Sequence, residues 1–353
     1  MQCDALIIGG GLSGLRLATL LADSGTDFRL IEARDRLGGR ILTQRHGGGY
    51  FDMGPAWFWP GQPRMAALIR SLGLIQFEQY AEGILTFEDE TGAVQHGRGF
   101  ASMAGSYRLS GGMDPLINAM AANLPQDRLH LSHPATDLRL CDEHIEVTCG
   151  PGEIVLARNV VVALPPRVAA TLEYTPELSK AAIDVMQATP TWMGGQAKAV
   201  ALYDRPFWRE AGLSGDAMSR HGPMVEIHDA SPAEGGPYAL FGFVGVPPAA
   251  RQDEQALRKA ILSQLERLFG AEAGKPAELF LKDWAFDRYT ATKADHQPLH
   301  HHPRYGRPAA LQGLWENRLV FAGTEMALQF GGYLEGALES AEDAYALLET
   351  EQR

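Results

Sequence analysis

The chain has 353 residues, 45% hydrophobic and 21% charged, which is ordinary globular usage and excludes a disordered or low-complexity polypeptide. Its 31 lysines and arginines against 43 aspartates and glutamates leave a formal charge of −12, which disfavours nucleic acid and anionic membrane as partners and eases the approach of cations. Three cysteines (Cys3, Cys141, Cys149) form no disulfide framework and no metal or redox pattern. With no basic signal-peptide region and no apolar run of the roughly 18 residues a membrane span needs, a soluble, cytoplasmic protein is expected.

The first forty residues carry most of the information. Residues 5–8 are an apolar run of buried parallel-strand type. Gly9, Gly11 and Gly14 follow in G-x-G-x-x-G spacing. Leu15, Leu17, Ala18, Leu20, Leu21 and Ala22 then give a helical apolar face that ends at Gly25. A second strand, Phe28–Ile31, ends in Glu32, 18 residues after Gly14. Strand, glycines, helix, strand and acid in this order bind the AMP half of a dinucleotide. The glycines let the backbone approach the pyrophosphate, and the N–H groups around Leu12, Ser13 and Gly14 face it. Glu32 accepts from the ribose hydroxyls, and its charge disfavours the 2′-phosphate of NADP.

Further along, helical spacing is expected at 65–69 and β-structure at 83–94. A meander of short strands is expected at 129–131, 138–140, 145–147, 154–156 and 160–164, the last stopped by Pro165-Pro166. Strands are expected at 197–203 and 238–246. A helix over 254–269 carries Leu257, Ile261, Leu265 and Leu268 on one face. Residues 319–322 read as a buried strand that leads through Gly323-Thr324-Glu325 into a helix over about 334–348.

From Glu32-Ala33-Arg34-Asp35-Arg36-Leu37-Gly38-Gly39-Arg40 onward the sequence resembles the flavin-containing amine oxidase family of monoamine and polyamine oxidases. The C-terminal Phe321-Ala322-Gly323-Thr324-Glu325, followed by Gly331-Gly332-Tyr333-Leu334-Glu335-Gly336-Ala337, is very close to that family's signature. The resemblance implies FAD, with Gly39 admitting the pyrophosphate and Arg40 neutralising it. It implies that Gly54, Pro55, Ala56 and Trp57 pass beside the isoalloxazine and that the backbone of Ala135 touches adenine. Gly111-Gly112-Met113 resembles a second glycine turn, and Pro206-Phe207-Trp208-Arg209 a landmark of the substrate domain. Glu325 is placed to accept from the ribityl chain. Gly332, Tyr333 and Leu334 open a helix aimed at the flavin N1/O2 edge, where charge appears on reduction. No second G-x-G-x-x-G offers a nicotinamide site.

The match has departures. Aligning Trp284 and Tyr289 puts Lys293 where monoamine oxidases attach FAD through cysteine, so FAD is expected to be non-covalent. It also puts Ala294 at one aromatic of the amine cage. Tyr333 keeps the other, with Phe330, Trp57 and Trp284 as candidates for the missing wall or as plain core. The lysine that most of these oxidases bridge by water to flavin N5 is expected after 241–245, where Val246-Pro247-Pro248 stands, and Lys198 reads as structural. His296, His300, His301 and His302 with Asp295 read as a polar loop rather than a metal cluster, and His228-Asp229 as a turn pair.

The expected fold is α/β: a Rossmann-like, glutathione-reductase-like FAD-binding domain (1–58, 107–178 and 283–353) interleaved with an α+β substrate domain (59–106 and 179–282). The expected activity is oxidation of a small amine by hydride transfer to flavin N5, imine hydrolysis and reoxidation by oxygen, with Tyr333, Trp57, Phe330 and Trp284 around the reacting carbon. Three alternatives stay open at this point. They are another flavin dehydrogenation, such as ring desaturation or repair of a damaged nicotinamide, a non-catalytic FAD-binding subunit, and an NAD-dependent dehydrogenase.

Overall fold

The computed structural model describes residues 1–97, 99, 101–297, 299 and 301–351. The N-terminal apolar run becomes the strand Gln2–Ile8, parallel to Phe28–Ile31 on one side and to Glu153–Val162 on the other. Glu153–Val162 is one ten-residue strand, not the two pieces expected from the sequence. Its ladder carries it across the polar pair Arg158-Asn159, with Ala157 opposite Cys3 and Asn159 opposite Ala5. Its first half pairs antiparallel with Ile145–Cys149, and its second half pairs in parallel with Leu319–Phe321. Leu129–His130 leaves the expected meander and adds as an outer parallel strand beside Phe28–Ile31.

The parallel strands end level with one another. Ile8 pairs with Ile31 and Val162, and Val162 pairs with Phe321. The carboxyl ends of such strands are where open α/β sheets take their ligands. Alternation along the strands feeds two cores. Ile7, Leu30, Val161 and Val320 face the helices Leu12–Asp23 and Leu334–Glu351. Ile8, Ile31, Val162 and Phe321 face the other way.

A second sheet runs in the order Glu278–Asp283, Ala197–Tyr203, Tyr238–Val244, Met224–Asp229, Leu213–Ser219, Ile84–Glu88 and Val94–Gly97. The helix Glu254–Phe269 covers one face through Leu257, Ile261, Leu265 and Leu268, the stripe its spacing predicts. The other face packs Val200, Leu202 and Phe241 against Phe51, Met53 and Trp57 of the first unit.

Two helices of the expected substrate domain pack on the first sheet. The helix Pro63–Ser71 buries Met65 and Ile69 in the core of the first sheet, and Lys180–Ala188 buries Ala182 and Met186 there too. Each amphipathic helix follows the apolar surface it can cover, so 63–71 and 180–188 pack with the dinucleotide-type sheet and not with the second one. The strand Gln76–Glu78 also pairs with Tyr107–Leu109 across the expected break at 106/107. Among the described residues no helix is long and apolar enough to cross a membrane.

Candidate functional site

Two cavities, of about 520 and 620 Å³, lie at the carboxyl ends of the parallel strands and share Gly9, Glu32, Arg34, Leu164 and Tyr289 in their walls. The larger holds Glu32, Ala33 and Ala135, the end expected for adenosine. The other reaches from Gly11, Ser13, Gly39 and Arg40 past Gly54, Pro55 and Ala56 to Trp57, Trp284, Gly323, Gly332, Tyr333 and Leu334. Of the residues expected to touch cofactor or substrate, Gly14, Glu325 and Phe330 line neither cavity.

The geometry gives the reason for each. A Cβ on Gly14 would stand 1.9 Å from the Gly9 carbonyl oxygen, so Gly14 serves the packing of helix on strand and leaves the ligand side to Gly11. Gly11 caps its helix without a side-chain hydrogen bond, which leaves first-turn N–H groups for an anion. Opposite, Gly39 has φ +58°, and a Cβ there would come within 3.2 Å of Gly11 Cα, so the two glycine turns approach through bare backbone. That is the cradle a pyrophosphate needs. Ser13 Oγ accepts the Gly323 N–H at 3.2 Å, tying the N-terminal turn to the C-terminal motif.

Glu32 is buried, with both oxygens engaged. Oε2 accepts the Gly10 N–H at 2.8 Å and Oε1 the Arg34 N–H at 2.9 Å. It therefore shapes the turn as well as facing the cavity. Arg34 is drawn off toward Asp287 and Thr290. Glu32→Ala is expected to weaken flavin binding about ten- to hundred-fold, as loss of charge-assisted contacts of roughly 1.5–3 kcal/mol implies. Equilibrium dialysis checks this, and unchanged affinity would place the adenosine end elsewhere.

At the other end Arg40 does not stand free to neutralise phosphate. It grips Glu325 through two bonds, Nη1 to Oε1 at 2.7 Å and Nη2 to Oε2 at 3.0 Å, and donates to the Trp192 carbonyl at 3.2 Å. Burial opposes the guanidinium charge, but Glu325 outweighs it and holds the Arg40 pKa above its ordinary value. Glu325 is thus a positioning residue for Arg40. The cavity-facing groups at this point are its neighbours Gly323 and Thr324. Phe330 lies in a loop whose backbone is pinned by Glu339, which accepts the N–H groups of Leu328, Gln329 and Phe330.

Two side chains on the second sheet were missed or misread from the sequence. In Ala197–Tyr203, Ala197, Ala199 and Ala201 face the helix-covered core, so Lys198 shares the opposite face with Val200 and Leu202 and enters the cavity. Lys198 is 4% exposed. Its Nζ donates to the Gly54 carbonyl at 3.2 Å and lies 4.0 Å from the ring centroid of Phe241. Burial pulls its pKa down to about 7, with Asp52 pulling weakly the other way. Pro248 sits in the turn Pro248–Ala250 and does not line the cavity, whereas Lys198, read from the sequence as structural, reaches it from another strand.

The reading of His228-Asp229 as a turn pair is also corrected. His228 is 1% exposed and lies 2.9 Å from both Asp216 and Glu226. Asp229 separately holds Trp208 and Arg209. The signal available was strand alternation, which puts Glu226 and His228 on one face.

The aromatic side chains divide in function. Trp57 and Trp284 are buried and fixed by hydrogen bonds, to Gln79 Oε1 at 2.8 Å and to the Met53 carbonyl at 3.0 Å. Tyr333 is 37% exposed, stacked on His302 at 5.2 Å and edge-on to Trp59 at 6.0 Å. Lys293 and Ala294 are exposed in the short turn Lys293–His296. Asp295 clamps this loop by accepting from Arg167 and from the Thr191 and Thr292 N–H groups, and His296 binds the Ala285 carbonyl. His300 lies outside the described residues. The one group of potential metal ligands among the described residues is elsewhere, at Cys141, His144 and Glu146.

A glycine cradle, a buried acid and an aromatic cavity with a desolvated amine thus lie together at the carboxyl ends of the parallel strands. Residues 12–98 and 76–344 match the family described as flavin containing amine oxidoreductase. The chain belongs to that family. It is an oxidoreductase family acting on amine donors, and it is a flavin-containing one. The chain is 25% identical to a putrescine oxidase of Kocuria rosea, over 98% of this chain and 95% of that one. It is 23% identical to a probable flavin-containing monoamine oxidase A of Dictyostelium discoideum, over 96% and 95%. Among solved structures, a putrescine oxidase bound to putrescine superposes with a TM-score of 0.84 at 22% identity, over the full length of both chains. The cyclohexylamine oxidase of Brevibacterium oxydans IH-35A gives 0.84 at 21%, also over both full lengths.

Proposed function

We propose that this flavoprotein is an amine oxidase that holds FAD without a covalent bond, in a FAD-binding unit built on the first sheet, and closes the second sheet over a small amine. The observation that carries the reading is Lys198, an amine stripped of water beside Gly54 and the aromatic rings of the cavity. FAD bound here would supply a hydride acceptor for the carbon bearing the nitrogen and a route for the two electrons to oxygen, released as hydrogen peroxide. The chain supplies the rest. Gly11, Gly39 and the first turn of the helix Leu12–Asp23 hold the pyrophosphate, and Glu32 the adenosine ribose. The helix that begins at Leu334 turns its N-terminal dipole toward the cavity. Lys198, with a pKa near 7, takes up and releases a proton at Nζ. Trp57, Trp284 and Phe243 keep the cavity dry.

Mixing the purified yellow protein anaerobically with primary, secondary and polyamines is expected to bleach the flavin, and admitting air to restore it with peroxide. Acid precipitation is expected to leave yellow supernatant over a colourless pellet. A flavin that no amine bleaches would sink the activity, and a yellow pellet the non-covalent attachment. Tyr333→Ala is expected to slow flavin reduction about ten-fold with little change in melting temperature. The ring is more than a third exposed, so its removal opens no core cavity of the kind that costs several kcal/mol. A mutant of normal reduction rate would remove the ring from the chemistry.

A further inference from the structure

The turn that joins the strands Ala135–Leu140 and Ile145–Cys149 lies level with the amino ends of the parallel strands, and none of its residues lines either cavity. Leu140 opposes Ile145 in the ladder. One step further out the Cys141 N–H donates to the His144 carbonyl at 2.8 Å, closing the turn over Asp142 and Glu143. Opposed residues of such a pair share a face, and so do residues two apart along a strand. Leu138, Ile145 and Val147 take the inner face and enter the core. Cys141, His144 and Glu146 therefore stand together on the outer face. Arg318 donates to the Cys141 and Asp142 carbonyls at 3.4 and 3.2 Å and ties the turn to the start of the strand Leu319–Phe321.

The donor atoms of these three side chains converge. A thiol sulfur, an imidazole nitrogen and a carboxylate oxygen lie within 4.8 Å of one another, and all three residues are half-buried, within reach of an ion from solvent. His144 Nε2 is shielded from solvent and has no hydrogen-bond partner. It stands 3.6 Å from the nearest acid oxygen, Glu146 Oε1. That is long for a hydrogen bond but close to the edge, about 3.4 Å, of a tetrahedron whose arms are about 2.1 Å. The Cys141 sulfur is only loosely engaged, 4.0 Å from the Arg139 carbonyl. Arg139, the fourth side chain of this face, is exposed and makes no ion pair with Glu146 among the described residues.

We propose that Cys141, His144 and Glu146 bind one divalent ion of the zinc type, remote from the cavities. Thiolate and carboxylate together cancel the charge of a divalent ion, and the imidazole adds a neutral ligand. The sulfur and nitrogen select zinc over magnesium or calcium, which take oxygen. On binding, the thiol proton passes to solvent as the metal–sulfur bond forms, with no change of oxidation state. Three protein ligands leave a fourth position for water. The cysteine count alone shows no metal pattern because strand pairing assembles the site from three residue types.

The test uses the flavin-loaded protein, stripped of metal by a chelator. Cys3 and Cys149 are buried, so alkylation of the folded protein by iodoacetamide, read by peptide mass spectrometry, reports on Cys141. A single equivalent of zinc is expected to bind in equilibrium dialysis. Zinc at about ten times its Kd is expected to slow the alkylation about ten-fold, and magnesium to leave it unchanged. Cys141→Ser and His144→Ala are each expected to weaken zinc binding by about a hundred-fold or more, beyond what the loss of an outer-shell partner costs. Retained flavin shows that each variant is folded. His144→Ala keeps the thiol, so zinc should no longer protect Cys141 in it. Zinc that does not bind, or that binds without protecting Cys141, overturns the site. So does protection that survives in His144→Ala, or binding that both variants leave intact, as a site at His301-His302 would give. Neither readout needs turnover, so the outcome is independent of the amine-oxidation reading.

Discussion

Replacing Lys198 by methionine is expected to lower amine turnover about a hundred-fold or more, the range in which a positioned proton carrier contributes, while the protein stays folded and yellow. Methionine matches the length of the stem and suits the apolar face that Val200 and Leu202 share. The pH dependence makes the test specific. With Nζ titrating at about 7, the wild-type rate is expected to rise through neutrality as the amine loses its proton, and the variant to lack that limb. Stability should move in the opposite sense. Unfolding returns the lysine to its ordinary pKa of 10.5, so between about 7 and 10.5 the unfolded chain binds the extra proton. The cost of burying the charge is complete below about 7 and fades as pH rises to 10.5. Lys198→Met is therefore expected to melt above wild type at pH 6, with the gap narrowing toward pH 10. Melting curves and stopped-flow reduction on the same samples check both, and unchanged turnover would remove Lys198 from the chemistry.

Lys198 also shows where the sequence is legible and where it is not. The strand–glycine–helix–strand–acid order of residues 5–32 is local, and each part of it appears in the fold. The helix Glu254–Phe269 is likewise read from a single stripe. The Ala197–Tyr203 strand defeats that method because every residue of it is buried, so polar alternation gives no face, and alanine marks the core side only once the sheet is seen. Helices Pro63–Ser71 and Lys180–Ala188 show an apolar face, but nothing in the face says which sheet will receive it. Phe330 is the converse case. It stands three residues before Tyr333, yet Glu339 turns its loop away by accepting three consecutive backbone N–H groups.

Acids of the C-terminal segment, in and before its helix, share this anchoring role. Glu335 is buried and accepts the N–H groups of Arg64 and Met65 at 3.0 and 2.8 Å, capping the helix Pro63–Ser71 from a distance of 270 residues along the chain. Glu339 holds the loop before the helix, and Glu325 holds Arg40. The same short segment that lines the cavity therefore fixes other parts of the chain around it. This is why Gly323 and Gly332 sit on rigid supports rather than on a free loop.

Arg40→Met is expected to be the most destabilising of the single changes, by about 3–5 kcal/mol, the usual cost of stripping the partner from a buried charge. The two ends of the pair are unequal. The Glu325 side chain is 0% exposed, whereas Arg40 is 25% exposed. Without Arg40 the buried carboxylate loses the partner of both its oxygens, bonded at 2.7 and 3.0 Å. Glu325→Gln leaves a guanidinium that still donates to the Trp192 carbonyl and can turn its free edge to solvent, so its cost should be nearer 1–2 kcal/mol. The double variant Arg40→Met with Glu325→Gln removes the stranded charge and should be more stable than Arg40→Met alone. Urea unfolding of the three holoproteins measures the cycle, and retained flavin after dialysis measures the site. Loss of flavin in Arg40→Met that the double variant partly restores would show that Arg40 acts by neutralising Glu325. Equal loss in both would show that the guanidinium itself reaches the cofactor.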